Sequence, residues 1–190
     1  PLLPIAFQHD TTQGLTKLWL CRDAAPAATH EPLLLRLLRS RGLTSPEEVS
    51  AFLDPKLTGL HNPSLIPDLD RAALRLLTAI NTHERIVIYG DYDVDGITAT
   101  AILYHIIKAI DPQANVQSYI PHRLDEGYGL NADAISEIAD QGPCLIISVD
   151  CGITAVAPAA TAKARGIDLI ITDHHNPPES IDELPDAYAV

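Results

Sequence analysis

The sequence predicts an α/β fold, a mostly parallel sheet flanked by helices, behind a helical N-terminal lead. Three observations carry this. Apolar runs of strand length recur at residues 85–90, 115–120, 143–149 and 166–172. Between them lie segments long enough for one helix each, at 97–110, 131–140 and 154–164, and such alternation builds a parallel sheet. Three of the runs also lead directly into acids or imidazoles, at the C-terminal strand ends where open parallel sheets carry their chemistry.

Taken in order, residues 1–29 show no clear periodicity, although Lys17-Leu18-Trp19-Leu20-Cys21 reads as a short strand or as the start of the helical lead. Residues 33–39 read as a helix. A second helix begins at Thr44-Ser45-Pro46-Glu47-Glu48, with proline at an early helical position and acids in the first turn. Pro55, Gly59, Pro63 and Pro67 make 54–67 a loop. Residues 68–82 are a strong helix, since Leu69, Ala72, Ala73, Leu76, Leu77 and Ile80 share one stripe. The lead is therefore assigned to residues 1–80 and the core to 81–190, where the strands and helices above follow and 187–190 begin a further strand. There are no internal repeats and no low-complexity tracts.

With 190 residues, 46% of them hydrophobic and 20% charged, the chain is long enough and apolar enough to bury a sizeable core. Thirteen Lys and Arg against 25 Asp and Glu give a formal charge of −12. That charge opposes binding of a polyanion by general phosphate attraction, which comes from Lys and Arg. Bound cations must then supply much of the local positive charge for any phosphate chemistry. Cys21, Cys144 and Cys151 show no Cys-x-x-Cys spacing, which gives no disulfide framework and suits a reducing compartment. No signal peptide is recognisable, and the longest apolar stretch, 97–107, is about half a membrane span. The expected location is cytoplasmic, with no membrane partner.

The candidate chemistry lies at three strand ends. Asp91-Tyr92-Asp93-Val94-Asp95-Gly96 places carboxylates at every second residue, Asp150-Cys151-Gly152 follows the third strand, and Asp173-His174-His175 follows the fourth. Unpaired acids gathered at one sheet edge would raise one another's pKa and cost stability, a conflict that a cation removes. Helix capping is the plainer explanation for an Asp at such a junction. Carboxylates suit Mg²⁺ and Mn²⁺, imidazole shifts the preference towards Mn²⁺, and the lack of paired thiolates argues against structural zinc. A nucleophilic Cys151 is disfavoured, since a catalytic thiol needs a base and the nearby imidazoles are better used on metal.

These three motifs, in this order, resemble those of the DHH phosphoesterase family. The helical lead narrows the resemblance to its RecJ-type, single-stranded-DNA-specific exonuclease branch, through Leu37 to Glu48, Phe52-Leu53-Asp54-Pro55, His61-Asn62-Pro63 and Asp68-Leu69-Asp70-Arg71-Ala72. So does Ile120-Pro121-His122-Arg123-Leu124-Asp125-Glu126-Gly127-Tyr128-Gly129-Leu130. Tyr89 stands where many small DHH phosphatases carry a histidine, which argues for the nuclease branch. The resemblance implies a Rossmann-like DHH domain and metal-dependent hydrolysis of single-stranded DNA from its 5′ end in repair and recombination. It implies two Mn²⁺ or Mg²⁺ ions, and single-strand-binding protein or a helicase as protein partners. It also implies a fourth-motif aspartate and a C-terminal substrate-binding domain beyond Val190, so that residues 1–190 alone are expected to be weak or inactive.

On this reading Asp150 bridges the two ions, with Asp93, Asp95 and His174 as further ligands. Asp91 binds the first ion or orients its water, Asp173 holds His174 from behind, and His175 faces the scissile phosphate. Gly96 and Gly152 follow candidate ligands at strand-to-helix turns and allow close approach of a phosphate. A tight turn explains Gly152 equally well. Arg123 is either a phosphate clamp or a surface ion-pair partner of Asp125 or Glu126, while His122 and Tyr128 either support a base or pack. Two alternatives share the motifs: a DHH enzyme acting on a small molecule or short oligonucleotide, and a non-catalytic subunit of a replication complex.

Overall fold

The computed structural model describes residues 11–13, 16–20, 32–122 and 125–190. It divides into two compact units, Pro1–His61 and Asn62–Val190. In the first, β1 (Thr11–Gln13) pairs antiparallel with β2 (Leu18–Leu20), so the described middle of the 17–21 run is a strand rather than a helix start. Helix α1 (Leu33–Ser40) follows, and then α2 (Pro46–Leu53). The start of α2 is a complete capping box: Ser45 accepts from the Glu48 N–H, and the Glu48 carboxylate accepts from the Ser45 N–H.

The second unit opens with α3 (Leu69–Asn81). The compact unit that holds the sheet thus begins before this helix, which the sequence reading placed at the end of the lead. Packing gives the reason. Ala79 and Ile80 are buried in one core cluster with Ile86 and Ile88 of the first core strand, and Arg75 donates to Glu84 through both terminal nitrogens and to Asp168 at 2.7 Å. Those contacts tie α3 to the sheet.

Four parallel strands make that sheet among the described residues: β3 (Ile86–Tyr89), β4 (Val116–Tyr119), β5 (Leu145–Val149) and β6 (Asp168–Thr172), in the order β4-β3-β5-β6. β3 and β5 are buried at every residue, as central parallel strands with both faces covered must be. Side chains alternate between faces. Ile86, Ile88, Leu145 and Ile147 join α3 and Ile107 of α4 (Val94–Ile110), whereas Val87, Tyr89 and Ile146 join α5 (Ala132–Asp140) and α6 (Val156–Ala164). Beyond β6, Ala189 bridges Ile170 in parallel, and the Tyr188 N–H donates to the Leu169 carbonyl at 2.8 Å. The expected further strand is represented by this isolated bridge alone among the described residues. No helix among the described residues is long and apolar enough to cross a membrane.

Candidate metal centre

Register brings the site together. Tyr89 lies opposite Ser148, and Val149 opposite Thr172, so the chain leaves β3, β5 and β6 at one edge. The acids that follow converge there. Ligand atoms of Asp91, Asp93 and Asp150 lie within 4.8 Å of one another, and so do those of Asp150, His174 and His175. Asp150 belongs to both groups.

The backbone holds Asp150 in an uncommon conformation, with φ at 63°, a cost of order 1–3 kcal/mol that surrounding structure must offset. Its N–H donates to the Thr172 carbonyl at 2.9 Å, which supplies part of that support. Oδ1 of its nearly buried side chain meets His174 Nε2 at 2.9 Å, and Oδ2 is buried without a hydrogen-bond partner. Burial first, and the charge of Asp93 second, push this carboxyl above the ordinary carboxylate range. Asp91 is 1% exposed, and its Oδ1 is likewise buried without a partner. Two orphaned carboxylate oxygens beside a further acid and two imidazoles would be satisfied by a divalent cation. The oxygen-rich donor set fits Mn²⁺ or Mg²⁺.

Asp93 caps α4: its Oδ1 accepts from the N–H groups of Gly96 and Asp95, both at 3.0 Å, and these bonds hold its carboxyl below the usual range. Capping and membership of the cluster coincide in this residue. Asp95 has no ligand atom in either group, and instead lines an open cavity of about 410 Å³ with Asp150, Asp173 and His174.

Asp173 departs from expectation. Its Oδ1 accepts from the backbone N–H groups of His174 (2.7 Å) and His175 (3.0 Å) and lies 2.7 Å from His175 Nδ1. Asp173 therefore holds the His175 ring, not that of His174. The cause is local, because a carboxylate that accepts from the next two N–H groups folds the chain into an Asx turn. Residue 175 is brought back over the acid, and His174 is left beside Asp150. Oδ2 accepts from the Ile153 N–H at 2.9 Å. Burial acts to raise the Asp173 carboxyl, but the bonds from Ile153 and His175 outweigh it and hold the group low. The hydrogen bond to Asp173 in turn raises His175.

Both glycines have steric reasons to be glycine. A Cβ on Gly96 would stand 2.5 Å from the Asp91 carbonyl oxygen and 2.6 Å from its nitrogen. Gly152, at φ 116°, would place one 2.8 Å from Leu130 Cδ1. Arg123 lies outside the described residues.

A family model described as "DHH family, N-terminal domain" matches residues 85–190. The chain belongs to the DHH family. It is 43% identical over 159 residues to the single-stranded-DNA-specific exonuclease RecJ of Bacillus subtilis, covering 84% of this chain and 20% of that protein. A crystal structure of exonuclease RecJ bound to manganese matches with a TM-score of 0.56 and 39% identity, over 63% of this chain and 30% of that one. RecJ from Thermus thermophilus in complex with Mn²⁺ matches with a TM-score of 0.58 and 31% identity, over 82% of this chain and 20% of that one. The chain thus spans a fifth to about a quarter of the length of the first curated relatives it matches.

In this DHH domain Cys151 is fully buried, and burial, followed by the charges of Asp173, Asp91 and Asp150, pushes its thiol up to about 12. A buried thiol held protonated in this way is a poor nucleophile. Tyr89 is buried as well, its hydroxyl donating to the Gly129 carbonyl at 3.1 Å. Sequence reasoning missed Gly90, where a Cβ would meet Thr100 Oγ1 at 2.2 Å. It singled out Tyr128 to support a base or to pack, but not as the residue whose hydroxyl reaches the His175 ring. The spacing Gly127-Tyr128-Gly129, which offers one side chain on a turn of positive φ, was the available signal.

Proposed function

We propose that this chain carries the metal-binding part of a phosphodiesterase that degrades single-stranded DNA from the 5′ end to mononucleotides, acting in the cytoplasm in repair and recombination. The observation that supports it most is the pair of ligand groups sharing the buried Asp150. The substrate reading draws on relatives named single-stranded-DNA-specific exonucleases at 33–43% identity. Asp91, Asp93 and Asp150 would hold one Mn²⁺ or Mg²⁺, and Asp150 with His174 the other, with Asp95 on the cavity wall beside them. When bound, the ions would supply Lewis acidity and positive charge next to the phosphate in a chain whose net charge is −12. The residues do the rest. Asp150 belongs to both ligand groups and would serve both ions, and Asp93 keeps the first turn of α4 in place while its carboxylate belongs to the cluster. Asp173 fixes His175 through Nδ1, which leaves Nε2 as the atom to meet a phosphate oxygen. Gly96 and Gly152 keep the two strand-to-helix turns close to the acids, and Arg123 serves as the phosphate clamp.

A version extended over the length of the relatives, given 5′-labelled single-stranded DNA and Mn²⁺, should release labelled mononucleotide first and leave blunt duplex largely intact. Release of label only as the last product would reverse the polarity. Rapid hydrolysis of pyrophosphate without nuclease activity would move the assignment to a small-molecule phosphoesterase.

A further inference from the structure

Tyr128 stands on the turn that leads into α5, between Gly127 and Gly129 with φ of 81° and 82°. That turn is braced. The Glu126 carboxylate accepts from the Tyr119 hydroxyl and the His122 N–H, Asn131 Nδ2 donates to the Glu126 carbonyl at 3.3 Å, and the buried Tyr89 hydroxyl donates to the carbonyl of Gly129. The phenol thus comes from a fastened segment. Its ring stands edge-on to His175, with centroids 5.9 Å apart at 79°, and in the same manner to Tyr92, at 6.4 Å and 79°. Its hydroxyl lies 3.2 Å from His175 Nε2 and 3.4 Å from Nδ1.

The partners of the imidazole decide between its nitrogens. Asp173 Oδ1, at 2.7 Å, can only accept, so Nδ1 carries the proton and in the neutral ring Nε2 holds the lone pair. Nε2 is then the nitrogen that takes the hydroxyl proton of Tyr128. We propose that Tyr128 is a positioning residue for His175: it occupies Nε2 while Asp173 occupies Nδ1, and so presents the ring in one tautomer and one orientation. The hydroxyl is almost equidistant from the two nitrogens, so the bond to Nε2 is bent and yields readily to a cation, or, once the ring is protonated and Nε2 carries a hydrogen, to a phosphate oxygen. The catalytic value of this arrangement rests on the reading that His175 faces the reacting phosphate. The arrangement itself does not.

The test is nitrogen-15 NMR of the imidazoles in the 190-residue chain, without metal and at about pH 9, where a histidine ring is neutral. The His175 signals are identified by their loss in His175→Gln. Tyr128→Phe keeps the ring and removes only the hydroxyl, and should move Nε2 by several ppm towards the position of a free lone pair while leaving Nδ1 in place. Tyr128→Leu removes the ring as well, and should also broaden both His175 signals. Unchanged nitrogens in Tyr128→Phe, or a change spread over the backbone amides, would overturn the proposal. Adding Mg²⁺ to the wild type separates the two readings. Silence of His174 and His175 to Mg²⁺ would sink the metal assignment and leave the Tyr128 comparison standing.

Discussion

At the scale of single residues, Asp150 combines costs that a structural carboxylate avoids: positive φ, a buried orphan oxygen and a neighbouring acid. Removing the charge should therefore stabilise the metal-free chain. Asp150→Asn is expected to raise its stability at neutral pH, because it removes a buried charge and its repulsion by Asp93, as read by urea unfolding. In calorimetry the same variant should lose most Mn²⁺ binding, and binding equal to wild type would remove the bridging role. The pH dependence has a definite sign. The folded value of Asp150 is raised, so its contribution is fully present below the ordinary carboxylate pKa and is lost as pH rises through the folded value. Metal-free wild type should lose stability over that window relative to Asp150→Asn, and parallel curves would contradict the shift. Sequence spacing was enough to gather the Asp91, Asp93, Asp150 and Asp173-His174-His175 group. It could not tell which imidazole Asp173 holds, because that depends on an Asx turn whose two hydrogen bonds leave no mark in composition.

At the scale of elements, the site depends on how closely α4 approaches the end of β3. Helix α4 starts at Val94, three residues before the apolar periodicity suggests, because the Asp93 carboxylate caps it and draws Val94-Asp95-Gly96 into the first turn. A hydrophobic stripe cannot reveal a first turn made of motif residues. Gly96→Ala tests this packing. Alanine favours a helix over glycine by about 1 kcal/mol, yet its Cβ would stand 2.5–2.7 Å from three backbone atoms of Asp91, where nothing flexible can give way. The net effect should be a loss of about 1–3 kcal/mol, typical of overpacking, with weaker Mn²⁺ binding because Asp91 and Asp93 separate. A Gly96→Ala chain as stable as wild type, with unchanged Mn²⁺ affinity, would show that the turn is looser than its geometry. The strands were legible because β3 and β5 are apolar at nearly every position, which is the pattern of strands with both faces covered.

At the scale of the whole molecule, the packing of α3 on the sheet was the least legible feature. Its stripe and the proline-rich loop ahead of it are local, whereas its ties to the sheet include Arg75 reaching Asp168, 93 positions along the chain. The same distance between local pattern and global arrangement bears on activity. Residues 62–190 provide two core clusters, one on each face of the sheet, and so should fold. Turnover asks for more, because substrate must be held in line with the attacking water, and a misplacement of about 1 Å can cost on the order of 100-fold. A formal charge of −12 adds repulsion of a polyanion, strongest at low salt, where screening is weakest. We therefore expect residues 1–190 to bind Mn²⁺ but to degrade single-stranded DNA at least ~100-fold more slowly than a version extended over the length of the relatives. The extended version should supply Lys and Arg for the phosphates, so raising the salt should slow it while leaving the short chain's weak activity unchanged or slightly improved. Equal turnover by the two at matched Mn²⁺ would mean that residues 1–190 already hold and orient the substrate, and that the acidic surface is no obstacle to it.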